Sequence, residues 1–249
     1  MADQDRVGTD EPGYVSMAGV NETVQLVERR DGPYGEVVLR RRGQHFEIIA
    51  NGCFLMDSSD GRSERLMVSA ALGMLAQPHG ASLLIGGLGV GFSLAEACDD
   101  PRLGRICVVE REQAVIDWHT RGAAPLRRFA GTGHSDPRAR IIRDDLLRYV
   151  RTTGERYDVL CLDIDNGPDW TVTDDNQSVY AAAGLTALER ALTDQGVLSV
   201  WSAARAPAFV ERLASRFAQV ETLEVPVLPG RRGEPDVVIL ASRALGFRA

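Results

Sequence analysis

The chain has 249 residues, of which 44% are hydrophobic and 25% charged, and these proportions are typical of soluble globular domains. They exclude disorder as the general state, and 28 basic against 35 acidic residues leave no positive excess for binding nucleic acid. No apolar run is long enough to cross a bilayer. Residues 1–20 contain no apolar signal-peptide core, so we expect a cytoplasmic protein without membrane contact.

The cysteines and histidines are not spaced as metal ligands usually are. The chain has four of each, without a CxxC pair and without a regular spacing between the two types. Most of the cysteines lie in apolar stretches, where a thiol behaves as a small buried hydrophobe. The sequence therefore predicts neither a metal site nor a disulfide framework.

The chain divides into three predicted parts. Residues 1–20 are polar and rich in Gly, Asp and Pro, which indicates a flexible leader. Residues 21–60 contain short runs with strand character and an Asn51-Gly52 turn, which predicts a small antiparallel β domain. Strands and helices alternate over residues 61–249, which predicts one α/β domain.

The predicted fold class is α/β: a Rossmann-like, doubly wound and mostly parallel sheet, preceded by the small N-terminal β domain. A polar loop is predicted over residues 167–180, and a closing hairpin is expected to give the sheet an antiparallel edge. The predicted strands are 23–27, 36–39, 45–50, 53–56, 82–85, 105–109, 139–142, 157–162, 196–201, 220–227 and 236–241. The predicted helices cover 63–75, 92–98, a segment through 115 and 118, 146–151, 185–192 and 209–217.

The first candidate binding feature is a glycine loop after the strand at 82–85. In a doubly wound sheet, ligands bind at the carboxyl ends of the strands. Glycine allows tight backbone turns and close approach of a ligand, and the following helix offers free N–H groups. Such a loop serves dinucleotides, nucleosides or simply close packing. The candidate residues are Gly86, Gly87, Gly89 and Gly91.

Acidic residues follow the next three strands. Glu110 lies 24 residues after Gly86, a spacing that suits a carboxylate binding the hydroxyls of a ribose. Asp144 and Asp145 end the third strand, and Asp163 ends the fourth. Together, the glycine loop and these three acidic strand ends predict a nucleoside site with an acidic wall.

Phe92 argues against a nicotinamide dinucleotide, because that fingerprint requires Gly or Ala at this position. A glycine loop followed by an acidic strand end instead resembles the S-adenosylmethionine-binding fold of class I methyltransferases. The order of β domain, glycine loop, V-V-E strand, D-P-R and Y-D-V-L-x-L-D resembles the spermidine synthase family. This resemblance covers roughly residues 22–245.

The resemblance implies a Rossmann-like domain over residues 61–249. It implies that the glycine loop holds the sulfonium side chain, that Glu110 binds the ribose and that Asp145, beside Asp144, binds the adenine. Asp163 matches the acidic residue that activates the attacking amine. Proteins of the family often form dimers through the β domain, so a homodimer is one expected assembly.

The sequence departs from the family pattern at the acceptor side. Gly89 and Asn166 stand where the family has carboxylates, and of its Y-H-E segment only Glu64 remains. Glu64 is the second catalytic candidate after Asp163. The candidate acceptor-binding residues are Asp165, Asn166, Trp170 and Tyr180.

These departures favour methyl transfer from S-adenosylmethionine to a small amine or similar nucleophile, with Asp163 as the base. One alternative is transfer of an aminopropyl or 3-amino-3-carboxypropyl group, the aminopropyl group coming from decarboxylated S-adenosylmethionine. A further alternative is a non-catalytic module that binds a nucleoside or a partner. A dehydrogenase comes last, because of Phe92.

Overall fold

The computed structural model describes residues 23–76, 79–171, 174–229 and 233–244. The predicted leader, residues 1–20, lies outside the described residues. Eleven strands and seven α-helices occur within those ranges. The strands are β1 Val24–Gly32, β2 Gly35–Arg42, β3 His45–Ala50, β4 Cys53–Asp57, β5 Ala81–Gly86, β6 Leu103–Glu110, β7 Ala139–Arg143, β8 Tyr157–Leu162, β9 Leu192–Ser202, β10 Gln219–Val225 and β11 Asp236–Ser242. The helices are α1 Arg62–Gly73, α2 Phe92–Asp99, α3 Gln113–Thr120, α4 Leu146–Thr152, α5 Asp174–Tyr180, α6 Ala182–Ala191 and α7 Pro207–Ala214.

The main sheet has seven strands in the order β10-β11-β9-β8-β5-β6-β7. The five strands from β9 to β7 in this order are parallel, while β11 is antiparallel to β9 and β10 is antiparallel to β11. The predicted fold class is thus confirmed, including the antiparallel edge. Strand β5 lies between β6 and β8, which is the point where the chain order reverses and where open α/β sheets bind ligands.

A second sheet of four antiparallel strands, β1-β2-β3-β4, precedes the main sheet. Side chains of β2 and β3, among them Leu39 and Ile48, join the hydrophobic core on the face of the main sheet that carries α1 and α2. Polar contacts attach strand β1 of the small sheet to helix α3. Glu28 accepts a hydrogen bond from Trp118 Nε1 (2.7 Å), and Arg30 pairs with Asp117 (2.6 Å). The small sheet therefore lies against the glycine-loop side of the main sheet.

The structure differs from the predicted loop at residues 167–180. Helix α5 occupies Asp174–Tyr180, within a segment whose polar composition predicted an irregular loop. The apolar side chains of Val179 and Tyr180 are buried in the core beneath the helix, so tertiary packing stabilises a helix that is too short to form alone. In the part of the chain that the structure describes, no helix has the length and apolarity needed to cross a membrane.

Candidate active site

The glycine loop joins β5 to α2 and forms the floor of a cleft. Gly87 has a φ of 95°, and a Cβ atom built on it would lie 2.1 Å from the backbone oxygen of Asp163. Both facts exclude any side chain at this position. Gly89 has a φ of 48°, and its added Cβ would lie 2.4 Å from Met56 Sδ. The loop is therefore enclosed by β8 on one side and by β4 on the other.

Glu110 holds the glycine loop from the end of β6. Its carboxylate accepts hydrogen bonds from the backbone N–H of Leu88 (2.8 Å) and of Glu112 (2.7 Å). Burial raises the pKa of Glu110 against these stabilising bonds. Each carboxylate oxygen has two lone pairs, so acceptor capacity remains for ribose hydroxyls. The loop-holding contact is one that sequence reasoning missed.

Asp144 and Asp145 lie at the start of α4, on the same cleft. Asp145 is the N-cap of α4, and one of its carboxylate oxygens accepts from the backbone N–H of Arg148 (2.8 Å). Asp144 pairs with the guanidinium of Arg148 at 2.5 Å. Both residues thus have a local structural role beside the predicted adenine contact, which stays a prediction.

Asp163 and Glu64 are two acids of the same cleft whose pKa values burial raises. Asp163 directly follows β8 and accepts a hydrogen bond from Ser93 Oγ at 2.9 Å, while Glu64 is buried on α1 with 5% exposure. Desolvation raises the pKa of Asp163 to about 6. Desolvation, with repulsion from Asp163 as the next cause, raises the pKa of Glu64 to about 8. The two predicted catalytic residues, which are 99 positions apart in the chain, therefore interact electrostatically in the same cleft.

Ser63 links Glu64 to a third acid that sequence reasoning missed. Its hydroxyl oxygen lies 2.9 Å from Glu64 Oε2 and 2.8 Å from Asp236 Oδ2. A hydroxyl has a single hydrogen to donate, so both contacts are hydrogen bonds only if one of the two acids is protonated and donates to Ser63. This geometry agrees with a raised pKa of Glu64. Asp236 begins β11, and no motif in the sequence points to it.

A second pocket adjoins the cleft and shares Glu64 and Trp201 with it. Five acidic residues line this pocket against one basic residue, Arg62, which is paired with Asp60 (2.8 Å). Trp201 Nε1 is buried and makes no hydrogen bond of normal geometry among the described residues, although it interacts with the Asp236 carboxylate of the same pocket. The acidic lining residues are Asp57, Asp60, Glu64, Glu234 and Asp236. Such a pocket favours a cationic or hydrogen-bond-donating molecule.

The predicted acceptor residues have different positions in the structure. Asn166 and the exposed Trp170 line the acidic pocket, whereas Asp165 lines the glycine-loop cleft. Asp165 accepts a hydrogen bond from the side-chain amide of Asn176 on α5. Tyr180 lies away from both, because its ring is buried against Phe209 and its hydroxyl donates to the backbone oxygen of Ile164 (3.1 Å). A direct substrate contact is therefore not assigned to Tyr180.

We expect Glu64→Gln to stabilise the protein at alkaline pH but not at acidic pH. Between the ordinary value of 4.5 and about 8, the unfolded chain gives up the Glu64 proton while the folded chain keeps it. Folded-state stability therefore falls as the pH rises through this window, and the amide removes that loss. Urea unfolding of both proteins should show that the substitution raises the free energy of unfolding by roughly 3 to 4 kcal/mol more at pH 8 than at pH 5.

Glu96→Gln is the matched control, because Glu96 lies on the neighbouring α2 and pairs with Arg65 near the surface (3.5 Å). Its effect should change little between the two pH values. A pH-independent effect of Glu64→Gln would show that Glu64 is ionised in the folded protein at neutral pH.

Comparisons with known proteins agree with this fold. No family model matches the chain. The chain is 21% identical over 173 residues to polyamine aminopropyltransferase 2 of Aquifex aeolicus, a match that covers 70% of this chain and 34% of the relative. It is 36% identical over 95 residues to polyamine aminopropyltransferase 1 of Pseudomonas aeruginosa, covering 34% of this chain and 29% of the relative. The chain thus spans about a third of the length of these curated relatives.

A crystal structure of spermidine synthase in complex with the transition-state analogue AdoDATO has the same fold. The TM-score is 0.72 at 17% identity, and the match covers 88% of this chain and 74% of that chain. The predicted resemblance to the spermidine synthase family is confirmed.

Proposed function

We propose that the chain is a transferase that moves an aminopropyl group from decarboxylated S-adenosylmethionine to a small amine. The observation that carries the proposal is the presence of Asp163 and Glu64 in the glycine-loop cleft, with Glu64 also lining the adjoining acidic pocket. Similarity to polyamine aminopropyltransferases and to the spermidine synthase fold supports it. Methyl transfer, which the sequence favoured, has no support in these similarities, and the aminopropyl alternative replaces it.

The acidic pocket removes the main objection to aminopropyl transfer. The sequence lacks carboxylates at Gly89 and Asn166, where the family has them, and this loss favoured a different reaction. Asp236 and Glu234 enter the pocket from the far end of the chain, and Asp57 and Asp60 enter it from β4 and the turn after it. Carboxylates at other positions thus provide the negative charge that a cationic amine acceptor needs.

The donor suits the cleft by the chemistry of its walls. Gly87 lets the loop lie directly against the backbone of Asp163 at the floor of the cleft, and Glu110 and Asp145 have acceptor oxygens for hydroxyl and amino groups. The donor supplies a carbon that is activated by the adjacent sulfonium. An amine nitrogen attacks that carbon, the carbon–sulfur bond breaks, and its electron pair stays on sulfur as a thioether.

Asp163 accepts the proton that the attacking amine loses. A base is most effective when its pKa lies near the working pH, and desolvation brings the pKa of Asp163 to about 6. Glu64 retains its proton at neutral pH. Asp163 is therefore the member of the pair that is ionised and able to accept a proton. Ser93 orients the Asp163 carboxylate by its 2.9 Å hydrogen bond.

Calorimetric titration with decarboxylated S-adenosylmethionine, S-adenosylmethionine, methylthioadenosine and NAD tests the proposal. We expect the decarboxylated donor to bind at least tenfold tighter than S-adenosylmethionine, because an acidic site disfavours an added carboxylate. Mass spectrometry of a reaction with a diamine should then show a product that has gained an aminopropyl group. Tighter binding of S-adenosylmethionine together with a methylated product would contradict the proposal, as would binding of no nucleoside. The homodimer and the cytoplasmic location stay predictions.

A further inference from the structure

His119 lines neither the glycine-loop cleft nor the acidic pocket, yet it contacts the glycine loop directly. It is fully buried on α3, and its Nε2 lies 2.9 Å from the backbone oxygen of Gly89. Its Nδ1 lies 3.2 Å from Nε2 of His134, and the two rings are tilted by 37° with their centroids 5.2 Å apart. The buried His119 and the half-buried His134 therefore form a chain of two imidazoles that ends on the Gly89 carbonyl.

The contacts determine where the protons of this pair lie. A carbonyl oxygen only accepts, so His119 Nε2 must carry a hydrogen. Neutral His119 then has a lone pair on Nδ1, which accepts the hydrogen on His134 Nε2. A second proton on His119 would be on Nδ1 and would point at the hydrogen on His134 Nε2. Burial lowers the pKa of His119 to about 4, and burial together with Arg127 lowers that of His134. Both rings are therefore neutral near pH 7.

The Gly89–Val90 peptide group is held on both of its edges. The Gly89 oxygen accepts from His119, and the N–H of Val90 contacts Met56 Sδ at 3.3 Å. The two partners come from α3 and from β4 of the small sheet. Met56 Sδ is a weak acceptor, so the imidazole is the stronger of the two constraints on this peptide plane. The φ of 48° at Gly89 is a conformation from which glycine can readily rotate without that constraint.

We propose that His119 is a positioning residue that fixes the Gly89–Val90 peptide plane of the glycine loop. His134 determines which tautomer His119 adopts, by its hydrogen bond to His119 Nδ1. This inference rests on the proposed function for the identity of the ligand. The orientation of the loop does not depend on that identity. Without the imidazole donor, the Gly89 carbonyl loses a buried partner and the peptide can rotate toward the cleft.

The test compares His119→Leu, which removes the donor, with His119→Gln, whose amide restores a donor at similar reach. Methylthioadenosine is the probe for affinity, and hydrogen exchange of residues 86–92 reports on the loop. We expect His119→Leu to weaken binding about tenfold, which is the usual effect of one lost buried hydrogen bond, and to speed loop exchange. His119→Gln should recover most of both. His45→Leu, at an exposed position on β3, is the control for the loss of an imidazole.

Two results would overturn the inference. One is unchanged affinity and loop exchange in a folded His119→Leu protein; the other is a His119→Gln protein as impaired as His119→Leu. If the wild-type protein binds no nucleoside, the proposed function fails, but loop exchange in the same variants still decides the role of His119. Nitrogen-15 NMR of the imidazoles adds a test without substitution, since His119 should keep its Nε2 hydrogen and not titrate between pH 5.5 and 8.

Discussion

Replacing Asp163 by asparagine is expected to lower kcat by a factor of about 10² to 10⁴, the usual contribution of a general base, while methylthioadenosine affinity stays within about threefold of wild type. The amide has nearly the shape of the carboxylate and can still accept from Ser93, but it cannot take a proton from an amine. Initial rates at saturating substrates, together with calorimetry of the same protein, measure the two effects separately.

The pH profile provides a second measurement on the same residue. In the wild-type protein, kcat should rise as the pH increases through about 6, because Asp163 must be ionised to accept a proton. Asp158→Asn is the matched control, since Asp158 lies on the same strand β8 but contacts Ser82 at 2.8 Å instead of the cleft. Normal turnover by Asp163→Asn would show that another group is the base, and Glu64 would be tested next.

Gly87→Ala should be far more damaging than the same substitution at Gly122. Both glycines have a positive φ, 95° and 57°, which costs an alanine about 1 kcal/mol. Only at Gly87 would the added Cβ also meet backbone, 2.1 Å from the oxygen of Asp163, whereas nothing lies within 4 Å at Gly122. We expect a loss of unfolding free energy of about 3 kcal/mol at Gly87 and about 1 kcal/mol at Gly122.

Nucleoside binding should separate the two variants more strongly than stability does. A shift of the Gly87 backbone moves the glycine loop and the end of β8 together, because Gly87 and Asp163 are in contact. We therefore expect that Gly87→Ala binds no measurable methylthioadenosine even at temperatures at which it is fully folded. Gly122→Ala should bind it with wild-type affinity. Equal behaviour of the two proteins would mean that the close approach of loop and strand is not needed for the site.

The buried acids Glu64 and Asp163 affect both the stability of the fold and the proposed reaction. Burial of Glu64 and Asp163 in one cleft costs folding free energy at neutral pH, because it raises the pKa of both groups. Such a cost is typical of sites in which charge is arranged for chemistry instead of stability. The pH-dependent gain expected for Glu64→Gln and the rate loss expected for Asp163→Asn are two consequences of this one arrangement.

The strand and helix pattern made much of the fold predictable. Period-two and period-3.6 apolar spacing is local, and the main strands and most helices lie within a few residues of their predicted bounds. Helix α5 is the exception, because its stability comes from buried contacts of Val179 and Tyr180 and not from its polar local sequence. The sequence also predicts a substrate contact for Tyr180, whereas the structure buries its ring against Phe209, because a sequence does not show which face of a short helix is buried.

The sequence by itself determined the α/β fold, the glycine loop, and the acidic strand ends at Glu110, Asp145 and Asp163, since each depends on residues close together in the chain. Only the tertiary structure decided which distant groups join them. Asp236 reaches Glu64 through Ser63, and His119 reaches Gly89, across separations of 172 and 30 residues. The physical reason is that hydrogen bonding and desolvation depend on distances in space. For residues far apart in the chain, those distances are determined only when the strands have assembled into the sheet.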